Sequence, residues 1–267
     1  MKLLKAKKWP IKTFFYSDEL NDDFAVTGKI SDTEVGEDYA FTGKTTLWKA
    51  FSALLYRAVA TPIVFVYCKL LYGVKFKNRK ALKKIKGGFF LYGNHTQYAV
   101  DAFLPTLVPF HKRAYIITGR QAVSLPVVKT LVKMLGGIPL PSGKNGLHPF
   151  YDAVESKIAK GSVVAIYPEA HIWPYYNGIR PFGSNSFMYP VRMDVPAVAF
   201  TVTYRRRRIF KNLHPLITVT VSEPFYPDKN RSPKSARESL RNEVYGFMKA
   251  TADASDCPEY YKYIKRE

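Results

Sequence analysis

"FFLYGNHTQYAVDAF", residues 89–103, decides the fold. Four apolar residues lead into Gly-Asn-His, and an apolar-patterned stretch carrying one acid, Asp101, follows. A short apolar strand, a turn and a helix-like segment form the opening of a strand–helix unit. Similar units recur downstream. Strands are predicted over Phe89–Tyr92, Ala114–Thr118, Ile138–Leu140, Val163–Tyr167, Ala197–Tyr204 and Leu216–Ser222. Helices are predicted over Tyr98–Leu107, Leu125–Leu135, Pro149–Lys160 and Pro233–Ala252. This alternation predicts an α/β domain with a mixed central sheet covered by helices, spanning residues 75–267.

Upstream the composition changes. Residues 1–16 are basic and aromatic, whereas residues 17–38 hold eight acids against one lysine, so 1–44 read as a solvated arm of changing sign. Residues 45–74 are apolar, with Trp48, Phe51, Leu55 and Val59, then Val64, Tyr67 and Leu71, at helical spacing. Pro62 is expected to split this stretch into two helical pieces. Its longest base-free run, Ala58–Cys68, is too short for the roughly 20 apolar residues of a membrane span. A helical pair packed on the domain, or docked in a membrane interface through its Trp and Tyr with Arg57 and Lys69 toward phosphates, is expected instead.

The net charge of +20 calls for an anionic partner. Seven bases and no acid lie between Lys75 and Lys86, and Arg205–Arg208 with Lys211 follow the strand at 197–204. An anionic membrane surface fits both runs; no nucleic-acid-binding module is recognisable. The basic N-terminus lacks the apolar core and cleavage site of a signal peptide, so the expected location is the cytoplasmic face of a membrane, peripheral or monotopic. Cys68 and Cys257, the two cysteines, give neither a disulfide framework nor metal-ligand spacing, and no metal or cofactor is expected. A Gly-x-Ser-x-Gly nucleophile elbow and a His-Glu-x-x-His motif are absent, and "GGIPLPSGKNG" (136–146) lacks the glycine spacing and hydroxyl residue of a phosphate loop.

The chemistry-bearing residues cluster at predicted strand ends. His95 follows one strand, with Asp101 downstream, and an imidazole oriented by a carboxylate is a general base. "YPEAHIW" (167–173) follows another, placing Glu169 and His171 where open α/β sheets bind ligands.

In this order the blocks resemble the glycerolipid acyltransferases, typified by bacterial 1-acylglycerol-3-phosphate acyltransferase. "NHTQYAVD" resembles the family's Asn-His-x4-Asp motif, and "YPEAHIW" its Phe-Pro-Glu-Gly-Thr-Arg block. "NGIRPFGSNSF" (177–187) resembles the Pro-Phe-Lys continuation, "VPAVAF" (195–200) the final Val-Pro block, and "LGGIPLP" (135–141) stands in the place of the second block. The resemblance implies acyl transfer from an acyl-CoA or acyl carrier protein, as co-substrate, to the hydroxyl of a lysophospholipid-like acceptor. His95 would then be the base and Asp101 its partner. A different lipid or glycolipid acceptor, or a non-catalytic basic binding protein, are the alternatives.

The chain departs from that pattern in four places. Five residues rather than four separate His95 from Asp101, so the loop before the helix, at Thr96–Tyr98, must absorb one residue for the two to meet. The arginine of the second block is replaced near Pro141, Gly-Thr-Arg has become Ala170-His171-Ile172, and the lysine of the continuation is Gly183. Lys144, His171, Arg180 and Arg192, with Glu169, are the substrate-binding candidates; Arg180 leads because its planar fork suits phosphate.

Overall fold

Short apolar runs become strands wherever both sheet faces are to be covered. The computed structural model describes residues 9–25, 33–43, 45–124 and 126–266. Its strands are β1 (Lys12–Tyr16), β2 (Lys75–Lys77), β3 (Phe89–Gly93), β4 (Ala114–Thr118), β5 (Gly137–Pro139), β6 (Val163–Ile166), β7 (Ala197–Arg205), β8 (Leu216–Val221) and β9 (Tyr261–Lys265). The main sheet has the order β2-β8-β7-β3-β6-β4-β5. The pairs are parallel except β7 with β8, so the sheet is mixed, as expected.

β3 sits in the middle, and its alternation serves two cores. Phe89 and Leu91 face one side with Leu104, Leu107 and Cys68. Phe90 and Tyr92 face the other, with Phe150 and Val154 of helix Leu147–Ala159 and Leu240, Val244 and Met248 of helix Pro233–Asp253. Every residue of β3 is buried, which is why the run carries no polar residue.

Two helical expectations are corrected. Residues 98–103 form turns, and only Leu104–Leu107 are α-helical, not Tyr98–Leu107. Pro105 has no N–H to donate to the Asp101 carbonyl, so a regular helix cannot form through Asp101; the Tyr167 hydroxyl donates to that carbonyl instead, at 2.5 Å. Pro62, in contrast, does not split the upstream stretch. One helix runs from Thr46 to Leu71, 26 residues, with a wider π turn over Leu55–Ala60 just before the proline. The wider turn relieves the clash with the preceding carbonyls, and the Thr61 hydroxyl donates to the Tyr56 carbonyl at 2.7 Å. The helix is therefore about 39 Å long, longer than the roughly 30 Å hydrocarbon core of a bilayer. The eleven-residue limit read from the sequence is overturned, because Arg57 and Pro62 interrupt the apolar run without ending the helix.

The arm is not purely solvated. β1 and β9 form a separate parallel pair, which brings residues 12–16 beside residues 261–265. Val35 and Phe41 enter the core beside Phe150, and Phe24 packs on Trp173. The basic residues 1–8, residues 26–32 of the acidic stretch, and Leu125 at the expected start of a helix lie outside the described residues.

Candidate active site

The loop after β3 is fixed on every side. Gly93 is required by close approach, since a Cβ there would lie 2.2 Å from the Phe200 ring. Asn94 then continues the β3–β7 ladder with its side chain. Its amide nitrogen donates to the Val202 carbonyl at 3.0 Å, and its oxygen accepts from the Val202 N–H at 2.7 Å. His95 follows, held through its main chain: its N–H donates to Glu169 Oε2 at 3.1 Å, and its carbonyl accepts from the Trp173 N–H at 3.1 Å. The Thr96 carbonyl accepts from the Tyr175 N–H at 2.9 Å and from the Tyr204 hydroxyl at 3.0 Å.

The His95 ring stacks on Tyr167, with centroids 4.4 Å apart and planes 18° from parallel. His95 Nδ1 lies 2.8 Å from Asp101 Oδ2, and the Gln97 N–H donates to that same oxygen at 2.8 Å. The structure thus brings the expected pair together despite the longer spacing. Residues 94–97 carry no regular secondary structure and take up the extra residue before the turns begin. Burial pushes the Asp101 carboxyl above the ordinary range, while the His95 ring and the Gln97 N–H pull it back. With Nδ1 committed to Asp101, Nε2 is the nitrogen left to act as a base, and the carboxylate fixes that tautomer.

His95 and Asp101 line a cavity of about 770 Å³. Its walls are largely apolar: Ile116 and Ile117 of β4, Val132 and Leu135 of helix Pro126–Leu135, Leu140, and Ile166 of β6. Tyr56, Ala60 and Val64 of helix Thr46–Leu71 close one side, so the apolar helix is part of the cavity. A general base in the wall of a largely apolar chamber suits a substrate that is mostly hydrocarbon with one reactive polar atom.

The expected substrate-binding residues lie elsewhere. Glu169 is buried; its carboxylate serves the His95 N–H and, at 3.2 Å, the Arg180 N–H. Burial raises its pKa, and Arg180 opposes the rise. Arg180 is wholly buried, 3.5 Å from Glu169 Oε2, and donates to the carbonyls of Glu169, His171 and Glu19. It is not among the residues that line the cavity, and its guanidinium is taken up by Glu169 and three carbonyls. His171 turns toward Asp23 of the arm, 3.5 Å away. Lys144 is exposed in the turn before helix Leu147–Ala159 and is not among the cavity residues. Arg192 lines a different depression, with Lys86, Gly88 and Pro196, at the end of the sheet where β3 and β7 begin. His95 lies where β3 ends, so Arg192 is on the wrong side of the sheet.

Tyr167, stacked on the His95 ring, and Asn94, bonded to Val202, make contacts at the candidate site that sequence reasoning missed. Register could have found Tyr167: β3 and β6 pair Tyr92 with Ile166, so the residue after Ile166 falls beside the loop that carries His95. Among the described residues no group of three His, Cys, Asp or Glu could hold a metal. Cys68 and Cys257 are both buried and unpaired.

The model of the Acyltransferase family matches residues 73–203. No curated protein matches the chain. Among solved structures, the 1-acyl-sn-glycerophosphate (LPA) acyltransferase PlsC from Thermotoga maritima shares the fold, with a TM-score of 0.51 and 16% identity over 79% of this chain and 96% of that chain.

Proposed function

The chain belongs to the Acyltransferase family over residues 73–203, and on that premise we propose that it transfers a fatty acyl group from a thioester, an acyl-CoA or acyl carrier protein, to a hydroxyl of a lysophospholipid-like acceptor. The observation that carries this reading is the 2.8 Å His95–Asp101 pair at an apolar cavity. The acceptor oxygen attacks the thioester carbonyl while His95 Nε2 takes its proton. Asp101 stabilises the imidazolium. The tetrahedral intermediate then collapses, the carbon–sulfur bond breaks, and the departing thiolate recovers the proton from His95. The hydrocarbon of the donor occupies the apolar chamber.

A second reading concerns the acceptor. Among the described residues lining the cavity there is no lysine or arginine. Arg180 is spent on Glu169 and three carbonyls, and Gly183 lines the cavity where a cation is expected from the family pattern. A dianionic phosphate needs such partners, so these observations favour a neutral lipid or glycolipid acceptor over lysophosphatidate.

The helix Thr46–Leu71 docks in the interface of an anionic membrane, on the cytoplasmic side. Leu47, Leu54, Ile63 and Leu70 are 81%, 61%, 62% and 72% exposed, an apolar face that none of the described residues covers. Ser52, Tyr56, Thr61 and Cys68 anchor the same helix to the body along its length. A helix so attached lies along the bilayer surface rather than crossing it.

Thiol release from a long-chain acyl-CoA, with lysophosphatidate and separately with monoacylglycerol, tests the chemistry. Wild type is expected to release thiol with at least one acceptor and the His95→Ala variant with neither. Equal release by both proteins sinks the assignment, and no release by either leaves a non-catalytic lipid-binding protein.

A further inference from the structure

The loop after β7 carries an apolar tip that the acyl-transfer chemistry does not use. From Arg205, the last residue of β7, the chain runs Arg206-Arg207-Arg208-Ile209-Phe210-Lys211-Asn212-Leu213. Ile209 and Phe210 are 74% and 72% exposed, and Leu213 is 50% exposed. Phe210 is also held at φ 55°, a left-handed conformation that bulky side chains avoid. The Leu213 N–H donates to the Phe210 carbonyl at 3.0 Å and closes the turn that projects this residue. An exposed aromatic on a strained tip is what a surface evolved for contact retains.

The bases around it have two duties. Arg205 donates to Thr218 Oγ1 at 2.8 Å and to the Gly73 carbonyl at 2.8 Å, so it braces the loop root. Arg207 donates to the His214 carbonyl at 2.7 Å and to the Leu71 carbonyl. His214 stacks on Tyr72 with centroids 4.3 Å apart. The loop is thereby tied to the C-terminal end of helix Thr46–Leu71, where Leu70 and Leu71 are 72% and 51% exposed. Arg206, Arg208 and Lys211 are exposed.

We infer that the Ile209–Phe210 tip is a second insertion element, which enters an anionic bilayer beside the end of the apolar helix while Arg206, Arg208 and Lys211 engage lipid phosphates. Charge decides the occupant. A tip flanked by three exposed bases, Arg206 among them resting over the Trp9 ring, on a chain of net charge +20, is repelled by a second copy of itself and attracted by a surface of negative lipid. Two attachment points fix the orientation of the domain, where one helix alone would let it roll about its axis. The inference rests on the membrane-docking reading of the helix, and not on the reaction.

The test labels the tip. Cys68 and Cys257 are buried, so an Ile209→Cys variant takes an environment-sensitive fluorophore at the tip, and an Asn230→Cys variant carries the same label at a remote exposed site. With vesicles of phosphatidylcholine and phosphatidylglycerol, the label at 209 is expected to shift blue and to be quenched by bromine-labelled acyl chains, and the label at 230 to do neither. The Ile209→Ser/Phe210→Ser pair is expected to weaken vesicle binding about tenfold. Arg206→Gln, Arg208→Gln and Lys211→Gln together are expected to weaken it on anionic vesicles and to leave pure phosphatidylcholine binding unchanged. The inference is overturned if vesicles bind without a change at 209, if the label shifts with protein concentration in the absence of lipid, or if neutral and anionic vesicles give the same response. Because His95→Ala is expected to bind vesicles like the wild type, failure of the acyl-transfer reading would leave this result standing.

Discussion

His95 Nδ1 and Asp101 Oδ2 lie 2.8 Å apart across six residues, with no helix between them. A helix would have turned the carboxylate by about 100° for the extra residue. An irregular segment and a run of turns bring it back, and the Gln97 N–H fixes the carboxylate by binding the same oxygen. The pair therefore should behave as a unit. His95→Ala is expected to lower the rate of acyl transfer by about 10²- to 10⁴-fold. Asp101→Asn is expected to fall in the same range, because an amide in that place no longer stabilises the imidazolium. Single-turnover thiol release measures both, and a full rate in Asp101→Asn would exclude the carboxylate from the reaction.

Asn94 acts by a different route. It substitutes for a residue of backbone in the ladder with Val202, and Asn94→Ala leaves a buried N–H and a buried carbonyl without partners. The expected loss is about 2–3 kcal/mol of stability, read from urea denaturation, with a smaller loss of rate in the remaining folded protein. An unchanged midpoint together with a collapsed rate would instead place the Asn94 amide in contact with substrate.

Legibility followed the physics of each signal. β4 matches its predicted span, and β3, β6, β7 and β8 differ only at one end, because buried apolar runs between turns have few other ways to fold. β1 and β9 were missed: each is half exposed and reads as basic-aromatic sequence, with the Tyr-Lys alternation of residues 261–263 the one faint clue. His95 and Asp101 were legible because their chemistry is paired within one short stretch. Arg192 was misplaced by proximity in sequence. It precedes β7 whereas His95 follows β3, and parallel strands put those positions at opposite ends of the sheet. The setting of Arg180 was illegible for another reason, since one-dimensional pattern does not reveal that a guanidinium is enclosed with Glu169.

That enclosure has a measurable consequence. Glu169 and Arg180 are buried together, and removing either partner strands a charge in a dry site. Glu169→Ala is expected to cost about 3–5 kcal/mol, and Arg180→Lys, which loses the fork reaching the carbonyls of Glu169, His171 and Glu19, somewhat less. Thermal denaturation at neutral pH gives both values. An Arg180→Lys protein of full stability, with only a raised KM for a phosphate-bearing acceptor, would return Arg180 to the substrate.

Lys157 gives a pH dependence of known sign. Burial, with Lys160, Arg113 and Lys49 nearby, lowers its pKa from 10.5 to about 8. Below that value the lysine is charged in folded and unfolded chains alike, and the folded state carries the whole penalty. Between about 8 and 10.5 the unfolded chain binds more protons, so stability rises with pH until the penalty is gone. Lys157→Met is therefore expected to stabilise the protein at pH 7 by about 1 kcal/mol, a figure reduced for the partly exposed position. The gain should vanish at high pH, and thermal melts across that range would show it; a gain independent of pH would mean better packing against Tyr115 and not relief of charge.

Gly183 offers the sharpest test of the acceptor. It lines the cavity, and a Cβ added there meets no atom within 4 Å, so a side chain can leave the backbone there without a clash at its first atom. The cavity's described lining holds no lysine or arginine. A lysine at this position adds one cation to a described lining that otherwise has no lysine or arginine, and a charge-assisted hydrogen bond to phosphate contributes about 1.5–3 kcal/mol. Gly183→Lys is therefore expected to raise kcat/KM for lysophosphatidate relative to monoacylglycerol by about 10- to 100-fold, mostly through KM. Competition between the two acceptors in one reaction measures the ratio directly. A wild type that already prefers lysophosphatidate strongly, and a variant that leaves that preference unchanged, would show that the phosphate is held by groups outside this cavity wall and would end the neutral-acceptor reading.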